Sequence, residues 1–324
     1  MDVMQKIQSA AETRSGTWPT TVVRDLAYLR TGIVNLCIYG RPSAPSGSWV
    51  LIDAGMPGSA ARIMRAAQEW IGPGPRPAAI ILTHGHFDHV GSVRTLAERW
   101  DVPVYAHRLE LPYLTGRSPY PPPDPTVGGG AMAALARFYP RGPINLGSRI
   151  RALPEDGSVP AMPGWRWIHT PGHTAGHVSF FRDADRTLIA GDAFVTTKQE
   201  SATAVLTQRA ELHGPPAYYT SDWESARHSV ERLAALEPLR VITGHGPPLQ
   251  GEQMLAGLHS LARNFERVAV PSRGRYVGRP AVADESGVVA VPPAAPDPLP
   301  RIALGIGLGL LMVSAIRRTA RQPH

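Results

Sequence analysis

Cysteine is almost absent from this sequence: Cys37 is the only one in 324 residues. An internal disulfide is therefore excluded, which is consistent with a reducing compartment. Cys37 lies in the apolar run from Gly32 to Tyr39, so we expect it to be buried as a small hydrophobic residue. The first 16 residues also lack the basic start and the continuous apolar stretch of a secretory signal. We therefore expect a cytoplasmic protein, which argues against an exported antibiotic hydrolase.

The charge of the chain gives little evidence for a nucleic-acid partner. The formal net charge is +7, but much of the excess comes from arginines near the C-terminus, namely Arg273, Arg275, Arg279, Arg301, Arg317, Arg318 and Arg321. The rest of the chain carries no basic stripe of the kind that nucleic-acid-binding proteins use. The expected partner is a small-molecule substrate, with no nucleic acid.

The most informative stretch is THGHFDHVG, residues 83 to 91, which holds three histidines and an aspartate within six positions. The run before it, residues 78 to 82, is short, apolar and partly β-branched, which predicts a buried strand. His84 and His86 are two residues apart, so in an extended backbone their imidazoles project to the same side. Asp88 and His89 follow at the next bend. The sequence thus predicts a polar cluster at the C-terminal end of a strand, rather than a chance surface group of histidines.

Three later motifs add further ligand-type side chains. TPGHTAGH contains His173, GDAF contains Asp192 and TGHG contains His245, and each motif follows an apolar run. We expect four strand ends to deliver these side chains to one place. Histidines and carboxylates without a thiolate suit Zn²⁺, and also Fe or Mn.

The order His-x-His-x-Asp-His, followed by His, Asp and His, resembles the metallo-β-lactamase superfamily over residues 20 to 270. The resemblance implies an α/β fold, an αββα sandwich. It also implies one metal held by His84, His86 and His173, a second held by Asp88, His89 and His245, and Asp192 as the bridge between them. Two Zn²⁺ ions would lower the pKa of a shared water towards ~7 and promote hydrolysis, with Asp88 handling the proton.

Other polar residues near these motifs have expected supporting roles. Asp53, in the phrase LIDAG, resembles the family's first motif and would orient a histidine ligand; the alternative is an ordinary turn aspartate. We expect His177 to be packed and hydrogen-bonded outside the metal site, and His107 to be structural or to lie near its rim.

The segments between the motifs predict the order of helices and strands. The runs at residues 32–39 and 48–53 predict a hairpin, and those at 178–182 and 187–190 a second one. Apolar residues at helical spacing predict helices over residues 59–71, 92–100, 221–236 and 252–265. Ser221 and Glu224 have the spacing of a capping box at the start of the third helix.

Two segments without a clear pattern are candidates for substrate contacts. Residues 116–146 are rich in proline and glycine around a short predicted helix, and they suit either a substrate lid, with Phe138 and Tyr139 as contacts, or a surface elaboration. Residues 194–219 follow Asp192 directly. From this second segment we take Thr196, His213, Tyr218 and Tyr219 as substrate-binding candidates.

The C-terminal part differs in composition, so we divide the chain into a catalytic domain (1–270), a proline-rich linker (271–300) and an apolar, basic tail (301–324). We expect the linker to be extended. The uncharged stretch from Ile302 to Ile316 would be about 22 Å long as a helix, which is short of the ~30 Å hydrocarbon core of a bilayer. We favour membrane contact by this tail over a loose tail or a helix docked on a partner.

Among the branches of this superfamily, the sequence favours a hydrolase of a small ester, lactone or thioester. Aspartate at position 192 differs from the cysteine or serine usual in antibiotic-hydrolysing branches. The ligand set is similar to those of glyoxalase II, N-acyl homoserine lactonases and ribonuclease Z, but the tyrosine that follows the bridging aspartate in lactonases is missing after Asp192. The alternatives are a phosphodiesterase or nuclease of the same fold, and a di-iron redox or sulfur-handling protein.

Overall fold

The computed structural model describes residues 19–296, and the first sheet in it has seven strands. These are β1 (Thr20–Val23), β2 (Leu26–Thr31), β3 (Val34–Tyr39), β4 (Val50–Ile52), β5 (Ala79–Ile81), β6 (Val104–Ala106) and β7 (Ile150–Ala152). They lie in sequence order, antiparallel from β1 to β4 and parallel from β4 to β7. The predicted hairpin of β3 and β4 is confirmed.

The second sheet contains five strands, in the order β12-β11-β10-β9-β8. They are β8 (Trp165–His169), β9 (Val178–Arg182), β10 (Thr187–Gly191), β11 (Arg240–Thr243) and β12 (Leu249–Gln250). Strands β10 and β11 are parallel, and the other pairs are antiparallel. The predicted hairpin of β9 and β10 is confirmed.

The longer helices pack on the outer faces of the two sheets, and the shorter ones lie in the connecting segments. The helices are α1 (Ala60–Ile71), α2 (Phe87–Val90), α3 (Val93–Trp100), α4 (Leu111–Leu114), α5 (Ala131–Leu135), α6 (Ala202–Thr207), α7 (Trp223–Ala235), α8 (Glu252–Arg263) and α9 (Phe265–Val268). The four longer helices predicted from periodicity correspond to α1, α3, α7 and α8. At the start of α7, however, the side chain of Asp222, and not that of Ser221, accepts a hydrogen bond from the Ser225 backbone amide.

Side chains alternate between the two faces of each strand, and the sandwich therefore contains three layers of apolar side chains. In β4, Val50 and Ile52 point into the core between the sheets, whereas Leu51 points to the core under α1 and α3. The inner core also receives Phe180 from the second sheet and contains Cys37, which is buried as expected. A third core lies between the second sheet and α7 and α8. The arrangement is the αββα sandwich that the sequence predicted.

The segment after residue 270 is folded against the domain, so the prediction of an extended linker is wrong for residues 271–290. Tyr276 is 3% exposed and its hydroxyl donates to the Pro122 carbonyl oxygen at 2.6 Å. Strands β13 (Val282–Asp284) and β14 (Gly287–Ala290) form a hairpin, and the Val288 amide donates to Ser118. This segment is packed despite its prolines because Tyr276 is buried in an apolar site, which composition alone does not predict. The predicted tail, residues 301–324, lies outside the described residues, and within residues 19–296 there is no helix with the length and apolarity to cross a membrane.

Candidate metal centre

The predicted metal ligands converge at one edge of the sandwich because they follow the C-terminal ends of strands from both sheets. The loop after β5 carries His84 and His86 and leads into the short helix α2, which carries Asp88 and His89. His173 lies in the loop between β8 and β9, Asp192 follows β10 and His245 follows β11. None of the seven residues is more than 6% exposed. The structure therefore brings together every residue that the sequence analysis assigned to the metals.

Three histidines form the first group. The Nδ1 atom of His86 lies 3.1 Å from Nε2 of His84 and 3.0 Å from Nε2 of His173. Burial, reinforced by the neighbouring histidines, lowers the pKa of His84 and His86 well below the usual range, and burial lowers the pKa of His173 to about 4. The rings are therefore neutral near pH 7, which is the form that binds a metal ion.

Asp88, His89 and His245 form the second group, within which Nε2 of His245 is 3.5 Å from the Asp88 carboxylate. Asp192 lies between the two groups: its carboxylate is 3.4 Å from Nε2 of His173, 3.5 Å from Nε2 of His89 and 3.1 Å from Nε2 of His245. Burial would raise the pKa of Asp192, but His245 and His89 outweigh it and hold the pKa well below the usual range. A single ionised carboxylate thus contacts both groups of histidines.

Unsatisfied buried atoms show that these residues fit metal ions. Nε2 of His89 and Oδ1 of Asp192 are buried and have no hydrogen-bond partner among residues 19–296. A buried polar atom without a partner costs free energy, unless a ligand satisfies it. Nitrogen and carboxylate donors without sulfur suit Zn²⁺, Fe or Mn, as the sequence analysis expected.

Hydrogen bonds behind the ligands fix the orientation of the imidazole rings. The Asp53 carboxylate accepts from Nδ1 of His89 at 2.9 Å, and from the amide and the hydroxyl of Thr83, each at 2.8 Å. Nδ1 of His245 donates to the Ile33 carbonyl oxygen at 2.7 Å. Such contacts select the tautomer whose other nitrogen faces the metal. Asp53 lies where the sequence analysis placed it, beside a histidine ligand.

His177 positions the Asp192 backbone and lies outside the metal groups. Its Nε2 accepts a hydrogen bond from the Asp192 amide at 2.9 Å, and its Nδ1 is 2.8 Å from the Thr170 hydroxyl. His107 is buried and stacks on His169 with ring centroids 4.3 Å apart. Both histidines therefore have the packed environments expected for them.

The four substrate-binding candidates lie in different environments. Thr196 is fully buried, and its hydroxyl contacts the Thr243 hydroxyl and the carbonyl oxygens of His245 and Pro247. Its hydroxyl therefore stabilises the His245 loop and is not available to a substrate, so the prediction of Thr196 as a substrate-binding residue is wrong. His213 lines a separate cleft of about 830 Å³ beside α8 whose lining residues, within the described part of the chain, include no metal ligand.

The two adjacent tyrosines, in contrast, lie at the metal groups. Tyr219 stacks on His86 with centroids 4.3 Å apart, and its hydroxyl donates to the Pro140 carbonyl oxygen at 2.8 Å. Tyr218 is 3% exposed, and its hydroxyl makes no hydrogen bond within residues 19–296. Burial, followed by the charges of Asp88 and Glu200, raises the pKa of Tyr218 well above its usual range, and the ring centroid of Tyr218 lies 5.4 Å from that of Tyr219.

The segment 116–146 covers the metal groups from one side. Tyr139 packs against Phe87 and Tyr219, whereas Phe138 is 77% exposed. Tyr120 donates a hydrogen bond to Glu110 and accepts one from the Gly85 amide at 2.9 Å. Glu110 and Tyr120 were not predicted from the sequence as site residues. The only signal for Glu110 was a carboxylate in a short apolar stretch, Leu109 to Leu114, and that is common in amphipathic helices.

Comparisons with known proteins agree with this geometry. Residues 43–245 match the model of the metallo-beta-lactamase superfamily. The probable metallo-hydrolase YflN of Bacillus subtilis (strain 168) is 50% identical over 240 residues, which cover 74% of this chain and 90% of YflN. The hydroxyacylglutathione hydrolase of Erwinia tasmaniensis is 33% identical over 139 residues, 42% of this chain and 39% of that protein. A beta-lactamase domain protein from Burkholderia ambifaria has a similar fold, with a TM-score of 0.56, 20% identity and coverage of 79% of both chains.

Proposed function

The chain belongs to the metallo-β-lactamase superfamily, and we propose that it is a dinuclear metal-dependent hydrolase of small carboxylic esters, lactones or thioesters. The observation that carries the proposal is the position of Asp192, whose carboxylate is 3.4 Å from His173 of one group and 3.1 Å from His245 of the other. A carboxylate shared in this way suits two cations bridged by one ligand. Zn²⁺ is the proposed metal, with Fe or Mn as alternatives.

Two such cations would supply Lewis acidity and lower the pKa of a coordinated water towards ~7. The side chains of the protein would transfer the proton and orient the reacting groups. Asp88 is the least buried of the seven ligand residues, at 6% exposure, so it is the carboxylate best placed to take a proton from a reacting water and pass it on. Replacing Asp88 with alanine is expected to abolish turnover while the fold is retained.

Tyr218 is the proposed substrate contact. Its hydroxyl has no hydrogen-bond partner within residues 19–296, and its ring packs beside Tyr219, which stacks on His86, so the hydroxyl is free to donate to a substrate carbonyl oxygen. The partial similarity to a hydroxyacylglutathione hydrolase supports a carbonyl substrate over a phosphodiester. The aspartate at position 192 continues to argue against antibiotic hydrolysis.

The two tyrosines allow a matched test with the full-length, zinc-loaded protein. Tyr218→Phe removes the unpaired hydroxyl, so we expect kcat/KM on lactone or thioester substrates to fall by about tenfold, the value of one hydrogen bond of ~1.4 kcal/mol, with no change in metal content. Tyr219→Phe removes a hydroxyl that already donates to Pro140, so it should lower stability rather than kcat/KM. Equal activities of the Tyr218 variant and the unmodified protein would refute the proposed contact.

A further inference from the structure

Glu110 is a buried acidic residue that the proposed catalysis does not use. It ends the single helical turn Arg108–Glu110 after β6, and its exposure is 0%. Burying a carboxylate is costly unless hydrogen bonds compensate it. A residue of this kind therefore points to a specific set of partners.

Four donors surround the Glu110 carboxylate. Its Oε2 accepts from the Gly85 amide at 3.0 Å and from the Tyr120 hydroxyl. Its Oε1 accepts from the Thr174 hydroxyl at 2.7 Å and from the Gly176 amide at 3.0 Å. Two carboxylate oxygens have about four acceptor positions in total, so the capacity of the group is fully used.

Three of these donors come from the two loops that carry the first group of histidines. Gly85 separates His84 from His86, and Thr174 and Gly176 closely follow His173. Asp88, His89, Asp192 and His245 make no hydrogen bond to Glu110 within residues 19–296. One side chain thus joins both parts of the first metal group and, within residues 19–296, makes no direct hydrogen bond to the residues of the second.

The two glycines among these donors pack too closely on Glu110 and Tyr120 to carry side chains. A Cβ atom at Gly176 would lie 2.8 Å from Oε1 of Glu110, and a Cβ atom at Gly85 would lie 2.5 Å from the Tyr120 hydroxyl. Tyr120 is held in turn by Tyr113, with ring centroids 3.8 Å apart, and its ring contacts His86. The absence of side chains at both glycines lets the two loops close on the same carboxylate.

We propose that Glu110 is a positioning residue that sets the separation of His173 from His84 and His86, and thereby controls the affinity of the first metal position but not of the second. The inference rests on the metal site of the proposed function, but it does not depend on the identity of the substrate. A purely structural role predicts a different result, because general destabilisation would weaken both positions together.

The test is Glu110→Gln in the full-length protein, with Zn²⁺ removed stepwise by a competing chelator. The substituted side chain keeps the shape of the carboxylate but presents an amide NH₂ to one pair of donors. We expect the affinity of one metal position to fall by about 10- to 100-fold, the effect typical of residues that orient metal ligands, and the other to change by less than about threefold. Replacement of Zn²⁺ by Co²⁺ gives a second measurement, since the absorption spectrum of one of two bound Co²⁺ ions should shift.

Two further variants serve as control and support. Glu200→Gln is the matched control, because Glu200 is also buried, at 2% exposure, and its carboxylate accepts from the Ala217 amide rather than from either ligand loop. Tyr120→Phe removes only one donor, so it should weaken the same metal position to a smaller extent, and it provides the answer if Glu110→Gln does not fold. Equal weakening of both positions, or unchanged affinities, would overturn the inference. Two intact metal positions with no turnover of any carbonyl substrate would instead overturn the proposed function alone.

Discussion

The replacement of Asp53 by asparagine tests how the second metal group is prepared for its ion. Asp53 has a positive φ of 62°, a conformation that asparagine tolerates, so the backbone can stay in place. The amide oxygen that Asp53→Asn introduces can still accept from the Thr83 amide. The new NH₂ group, however, would face Nδ1 of His89, where the carboxylate now accepts at 2.9 Å. We therefore expect Nδ1 of His89 to become an acceptor and its proton to move to Nε2, the atom that faces Asp192.

The size of the effect follows from the cost of the wrong tautomer. Loss of a group that orients a metal-bound histidine lowers metal affinity by about 10- to 100-fold, which corresponds to roughly 1.4–2.8 kcal/mol. The measurement is the stepwise Zn²⁺ affinity of the full-length variant, with bound metal counted by atomic emission. The expected result is the selective weakening of one of two metal positions.

Asp124→Asn is the control. Asp124 is equally buried, at 3% exposure, and its carboxylate accepts a hydrogen bond from the amide of Thr126, which is distant in sequence from every metal ligand. It should lower the stability of the protein without changing either affinity. If Asp53→Asn binds both ions as tightly as the unmodified protein, the argument from the tautomer of His89 is refuted.

Three more outcomes follow from the structure. Burial lowers the pKa of His107 to about 4, so between pH 6.5 and pH 5 the unfolded chain takes up a proton at His107 and the folded chain does not. The difference in free energy of unfolding between the unmodified protein and His107→Gln, measured with urea, should therefore shrink from pH 6.5 to pH 5. A constant difference would contradict this. Gly244→Ala places a Cβ atom against the Asp192 carboxylate, well inside van der Waals contact, and should lower bound metal per chain, whereas Gly257→Ala meets only the end of the Leu212 side chain and should not. Thr196→Val removes three buried contacts and should lower the free energy of unfolding by about 1–3 kcal/mol with KM unchanged; a raised KM at unchanged stability would restore Thr196 as a substrate contact.

The features of this fold that have a local cause were predictable from the sequence. The alternation in Val50-Leu51-Ile52 reflects two apolar layers, and the strand before His84 is recognisable because it is short, apolar and bounded by a polar motif. The polar cluster was predictable for the same reason, since each of its residues follows a strand, whereas the assignment of these residues to two metals came from the resemblance to the metallo-β-lactamase superfamily. Asp222 was missed as the cap of α7 because both Ser221 and Asp222 suit that position, and only the backbone decides between them.

The features with a non-local cause were not predictable. Thr196 follows Asp192 closely in sequence, but the chain turns its hydroxyl back onto the His245 loop, 49 residues away. Glu110 is related to Gly85 and Gly176 only through the packing of two loops, 25 and 66 residues distant. Tyr276 is buried against Pro122, although the proline content around it suggested an extended linker. In each case a hydrogen bond between distant segments determines the role of the residue.

We propose that Asp192 joins two metal positions in a hydrolase of carbonyl substrates. The most direct measurement is turnover by the zinc-loaded, full-length protein on a matched panel of lactones, thioesters, esters and a phosphodiester, with bound metal counted in the same sample. We expect two metal ions per chain and turnover of at least one class of carbonyl substrate, with none of the phosphodiester. Two metal ions with turnover of the phosphodiester alone would contradict the proposed substrate class, and a single metal ion at full activity would contradict the bridging role of Asp192.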